Sequence, residues 1–110
     1  MVTRPFLLSC LVASLLVSGC ASHRYRIGAG GVHFFLRRNS AQRVDLCSSL
    51  DAFRPHAASR TTGGLWEVVL PSGRSFSYFY LVDGDAFVPD CKLMEDDGFG
   101  AKNCLFDPEV

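Results

Sequence analysis

Beyond residue 31, apolar and polar residues alternate with period two along most of the chain, the repeat of a strand with one face in a core. Val32, Phe34 and Leu36 alternate with His33, Phe35 and Arg37 until Arg38-Asn39-Ser40 breaks the run. Arg43–Cys47 repeats the pattern with Val44 and Leu46 on one face. Ser48–Gly64 is polar, carries Pro55 and reads as a loop holding at most one short strand near Ala57–Thr61. Leu65–Leu70 is a clear strand closed by the turn Pro71-Ser72-Gly73, and Trp66 shares a core face with Val68 and Leu70. The strongest strand is Ser75–Val82, with Phe76, Tyr78, Tyr80 and Val82 on one face and Ser77, Phe79 and Leu81 on the other. Asp83-Gly84 signals a hairpin with a short return at Asp85–Pro89, Asp90–Gly100 reads as an acidic loop, and Asn103–Asp107 as a last strand. Short strands at this spacing, with no three-turn helix and no internal repeat, predict an all-β sandwich.

The amino-terminal residues follow a different pattern. Arg4, an apolar run over Phe6–Val17 and then small residues make a secretory signal layout. The run of about 12 residues is short of the ~20 that a membrane-spanning helix needs. Val17-Ser18-Gly19-Cys20 resembles the bacterial lipoprotein box, which implies cleavage before Cys20 and acylation of that residue. A plain signal peptide with an incidental cysteine is the alternative. Acyl chains anchor because each buried CH₂ contributes ~0.8 kcal/mol. Ala21 at the following position implies outer-membrane sorting in a two-membrane bacterium, so the expected location is the bacterial cell envelope, lipid-anchored. Residues 20–31 show no sustained period, end in glycines and read as a lipidated cysteine plus a flexible tether of at most ~35 Å.

Composition narrows what remains. With 11 Lys+Arg against 11 Asp+Glu, the chain lacks the overall electrostatic footprint that would draw it to nucleic acid or to an anionic lipid surface, and 48% apolar residues exclude intrinsic disorder. Removing the signal segment 1–19 leaves 91 residues, hence one domain over residues 32–110. A chain of this size has a marginal core unless aromatic packing or a disulfide helps. Cys91 and Cys104 bracket the acidic loop, and closing a loop of that length contributes about 3 kcal/mol. Cys47–Cys104 is the competing pair, and an unpaired buried Cys47 accompanies the first choice.

The order V-H-F-F-L, R-V-D-L-C-S-S-L-D-A-F, L-W-E-V-V-L-P-S-G, F-S-Y-F-Y-L-V-D-G-D-A-F-V-P-D and D-D-G-F-G-A-K-N-C-L-F resembles the glycogen-binding domain of the AMP-activated protein kinase β subunit. That module, carbohydrate-binding module family 48, is also the early-set domain at the amino terminus of isoamylases and branching enzymes. The likeness covers nearly all of Val32–Phe106 and implies an immunoglobulin-like, early-set sandwich of about seven strands. It also implies α-glucan as ligand and carries over five positions. Phe53 stands where the family has a sugar-stacking Trp, and Phe79 where it has a Lys that contacts hydroxyls. Phe87 corresponds to the Trp after V-D-G, Phe99 to an inserted apolar side chain, and Asn103 matches the family's sugar-contacting Asn.

The residues themselves permit that chemistry. Flat apolar rings meet the C–H faces of pyranoses while a few polar groups orient the hydroxyls. Packing of loops by Phe53, Phe87 and Phe99, cover of Phe79 by the tether or a partner, and capping of local backbone by Asn103 are the structural alternatives. Adjacent carboxylates such as Asp96 and Asp97 point apart, unlike the facing pair of a glycosidase. His23, His33 and His56 are scattered without a nucleophile pattern, and Asp83, Asp85 and Asp90 lack calcium-loop spacing. The expectation is therefore a non-catalytic glycan-binding lipoprotein without metal or cofactor. The competing expectation is an early-set module whose phenylalanines contact an envelope protein.

Overall fold

The computed structural model describes residues 22–110; the signal segment and Cys20 lie outside the described residues. Among the described residues ten strands build two antiparallel sheets: β1 (His23–Gly28), β2 (Gly31–Arg37), β3 (Val44–Ser48), β4 (His56–Ala57), β5 (Ser59–Arg60), β6 (Leu65–Leu70), β7 (Phe76–Val82), β8 (Asp85–Phe87), β9 (Met94–Asp96) and β10 (Lys102–Phe106). The first sheet runs β1-β2-β6-β5 and the second β4-β3-β7-β10-β9, with β8 also paired to β7. Packed face to face they form an all-β sandwich of the immunoglobulin-like class.

The alternation in the sequence accounts for the core. Val32, Phe34, Leu36, Trp66, Val68 and Leu70 project inward from the first sheet and meet Val44, Leu46, Phe76, Tyr78, Tyr80, Cys104 and Phe106 from the second. Aromatic rings meet across the core, with Phe34 and Tyr78 4.7 Å apart and Phe76 and Phe106 5.1 Å apart. Trp66 is core, and its indole N–H donates to the Arg38 carbonyl at 3.1 Å.

The strand count exceeds the expected seven for identifiable reasons. His23–Gly28, expected as tether, is β1: it pairs with β2 along its whole length, from His23 opposite Leu36 to Gly28 opposite Gly31. The glycines that suggested flexibility form the link Ala29-Gly30, a two-residue hairpin whose Gly30 has φ +87°. Gly31 follows at φ +138°, where a Cβ would sit 2.1 Å from the Leu70 carbonyl oxygen. The region expected to hold at most one short strand holds two. Backbone pairing passes from the second sheet at β4 to the first at β5, with the Ala58 N–H between them bonded to the Val44 carbonyl at 2.8 Å. Part of the expected acidic loop is β9, which pairs with β10.

Cys91 and Cys104 form a disulfide, joining the chain after β8 to the centre of β10, and Cys47 is buried and free among the described residues.

Candidate functional site

Strand parity assigns the candidate residues to faces. Tyr78 and Tyr80 point into the core, so Phe79 between them is on the outer face of the second sheet. Across the ladder it pairs with Cys47, and the next outward pair is Asp45 with Leu81. Phe53 comes to this face from the turn after β3. A short 3-10 turn over Ser49–Asp51, capped by Ser48 Oγ accepting from the Leu50 N–H at 3.2 Å, reverses the chain. Ala52 and Phe53 then take φ of +63° and +62°, a left-handed conformation that costs a non-glycine residue roughly 1–2 kcal/mol. The Phe53 N–H donates to the Ser48 carbonyl at 2.7 Å, and its ring stacks on Phe79 with centroids 5.6 Å apart and planes 21° from parallel. The cover over Phe79 is thus Phe53 and not a tether. His56 Nε2 and Asp51 Oδ2, 2.5 Å apart, brace the same turn, and this hydrogen bond holds the Asp51 carboxyl below its ordinary range.

Asn103 precedes the core residue Cys104 on β10, so alternation places it on the outer face too. It is the first residue of β10 beyond the stretch paired with β7. Capping of the neighbouring turn falls to Asp97, whose Oδ1 accepts from the Phe99 N–H at 2.7 Å and the Ala101 N–H at 3.1 Å. Phe99 stands at the tip of that turn, 92% exposed. Phe87 goes the other way. It pairs with the core residue Tyr80, packs against the core and carries the Arg38 guanidinium over its ring at 4.1 Å. Phe53, Phe79 and Asn103 therefore share a face, Phe99 projects from the turn that follows β9, and Phe87 is separated from the platform by its own sheet.

Two features of this face escaped the sequence reading. Asp45 points outward yet is 3% exposed; one carboxylate oxygen accepts from Arg43 Nε at 2.9 Å and the other has no partner among the described residues. Alternation on β3 was the available signal. Asp45 and Leu81 line a depression of about 670 Å³ with Gln42, Pro55 and Gly84, two residues along the strands from Cys47 and Phe79. Burial, then the Asp45 and Asp51 carboxylates, push the Cys47 thiol up, so it stays protonated and apolar there.

Elsewhere, a cavity of about 380 Å³ opens between the sheets beside the disulfide, lined by His23, Tyr25, Tyr78, Cys91 and Leu93 among others. Burial lowers the His23 pKa to about 4, so its ring is neutral at pH 7. His33 is the opposite case. Its Nδ1 is 2.7 Å from Glu67 and its Nε2 2.6 Å from the Ala29 carbonyl. Two acceptors call for two N–H groups, which raises its pKa, the Glu67 bond contributing most. Among the described residues no three His, Cys, Asp or Glu side chains converge as a metal site.

No protein-family model matches the chain, and no curated protein sequence matches it.

Proposed function

We propose that the chain is a non-catalytic lipoprotein of the bacterial envelope, anchored through Cys20 at the outer membrane, whose sandwich binds glycan, with α-glucan as the ligand. The observation that carries this reading is the stacked pair Phe53–Phe79 on the outer face of the second sheet, held by two left-handed residues. Strained backbone that presents an aromatic ring outside the core needs a return from elsewhere, and ligand contact is a common one. Rings of this kind suit the apolar faces of pyranoses, Asn103 supplies a polar group on the same face, and the adjoining depression gives room for a further sugar. The resemblance to carbohydrate-binding module family 48 adds the choice of α-glucan. Phe99, exposed at the tip of the turn after β9, adds an apolar contact, and Phe87 acts by packing β8 and not by touching sugar.

The competing reading, an early-set protein-interaction module, is favoured by one observation: Phe99, bare at its loop tip, suits insertion into a protein pocket. Retention of the purified mature protein on glycogen, immobilised cyclodextrin and peptidoglycan separates the two. Binding to glycogen and cyclodextrin is expected; failure on all three refutes the glycan reading. Anchoring is tested separately by Cys20→Ser, which is expected to block maturation or move the protein out of the detergent phase.

A further inference from the structure

The near-neutral chain is electrostatically two-sided. On the first sheet, Arg24 and Arg26 alternate with Tyr25 and Ile27, which pair with core residues Phe34 and Val32 but stay largely exposed at the sheet edge, and both guanidinium groups lie over the ring of Phe35, at 4.8 and 5.8 Å. Arg37 extends this face on β2, bonded to the Gly63 carbonyl. Glu67 is the acid among them, and His33 occupies it. The strands of the second sheet carry the opposite balance, Asp45, Asp85, Glu95 and Asp96 against the single base Lys102, which faces Asp96 across the ladder.

The pairing of β1 shortens the connection to the anchor. The Arg37 N–H donates to the Ser22 carbonyl at 2.8 Å, so the fold is in place from Ser22 onward and the chain leaves it beside Arg37. Cys20 lies three residues before His23, a span of at most about 10 Å, in place of the ~35 Å of a free tether. A lipid on Cys20 therefore keeps this edge of the sandwich within about one Debye length of the headgroups.

We propose that the outer face of the first sheet, through Arg24, Arg26 and Arg37, rests on an anionic phospholipid surface and turns Phe53 and Phe79 away from the membrane. This rests on the anchoring of Cys20 proposed above and does not depend on the identity of the glycan. Three guanidinium groups on one sheet face, with the chain exit at its border, suit an array of phosphates. A second copy added at the β1 edge would set arginines of the two copies against each other.

The test uses the mature protein from a lipoprotein-processing host, reconstituted in vesicles of phosphatidylcholine alone or with about a third phosphatidylglycerol. Arginine modification by phenylglyoxal is read by mass spectrometry. Modification of Arg24, Arg26 and Arg37 is expected to be about tenfold slower in the anionic vesicles, with the protection removed by high salt. Arg54 and Arg74, exposed elsewhere, are expected to react equally in both. Arg24→Glu with Arg26→Glu is expected to abolish protection of Arg37 while the circular dichroism spectrum stays native. Equal rates in both vesicles overturn the proposal, as does protection that appears in cell envelopes but not in vesicles, which indicates a protein partner. The mass of the amino-terminal peptide reports the anchor independently: unmodified Cys20 refutes anchoring and this proposal together, whereas lipidated Cys20 with unprotected arginines refutes this proposal alone.

Discussion

Phe53 and Phe79 stack on the outer face of the second sheet, one delivered by a left-handed turn and the other by strand parity. Each ring covers one side of the other. Aromatic pairs of this geometry contribute about 0.5–1.5 kcal/mol beyond buried area. A double-mutant cycle with Phe53→Ala and Phe79→Ala is expected to show coupling in that range by denaturant unfolding. Each single variant is expected to weaken cyclodextrin binding about two- to tenfold, as the loss of one stacking contact implies.

Phe87 provides the contrast. It packs against the core opposite Tyr80. Phe87→Ala is expected to destabilise the domain by about 2 kcal/mol and to leave cyclodextrin affinity within about twofold. Chemical denaturation and calorimetric titration of the same variant check both halves.

The Cys91–Cys104 bridge closes a short loop next to Asn103, with Cα atoms 5.7 Å apart. Replacing both cysteines with alanine is expected to cost about 3 kcal/mol, a fall in Tm of about 10–20 °C, and to lower glycan affinity as well. Mass spectrometry of the unreduced protein checks the connectivity: a peptide joining Cys47 to either partner contradicts it.

Acid sensitivity follows from His23. Above pH 6.5 the ring is neutral in both folded and unfolded chains. As pH falls from 6.5 towards about 4 the unfolded chain binds a proton that the folded one resists, so stability declines over that window. With the ring's partial exposure allowed for, the loss is about 1–2 kcal/mol. His33 acts with the opposite sign, its raised pKa adding stability that is present below 6.5 and lost as pH rises through the folded value. Thermal melts across this range are expected to show the decline in the wild type and a flatter profile in His23→Phe.

The long strands were legible because alternation records which face is buried. β2, β3, β6 and β7 fall where Val32, Val44, Leu65 and Phe76 begin their runs. β1 was hidden by its neighbours: Arg24-Tyr25-Arg26-Ile27 alternates, but the run is short and ends in glycines that serve a hairpin as well as a tether. β9 had no pattern to read, since Met94, Glu95 and Asp96 are all exposed and are held by backbone pairing alone.

Within the candidate site, the outward position of Phe79 followed from parity, whereas its contact with Phe53 did not, because it depends on left-handed backbone at two non-glycine residues. The orientation of Phe87 was available. A two-residue Asp83-Gly84 turn pairs Val82 with Asp85 and so sets Phe87 opposite Tyr80, on the core side. Matching it to a sugar-stacking position by sequence alone passed over that register.

The most direct test of the central claim is a titration of the isotopically labelled mature protein with β-cyclodextrin, followed by backbone amide shifts. Saturable shifts are predicted at Phe53, Phe79 and Asn103 and along β3 and β7, with residues of the first sheet unmoved. No saturable shift, or shifts confined to the face of Arg24 and Arg26, would contradict it.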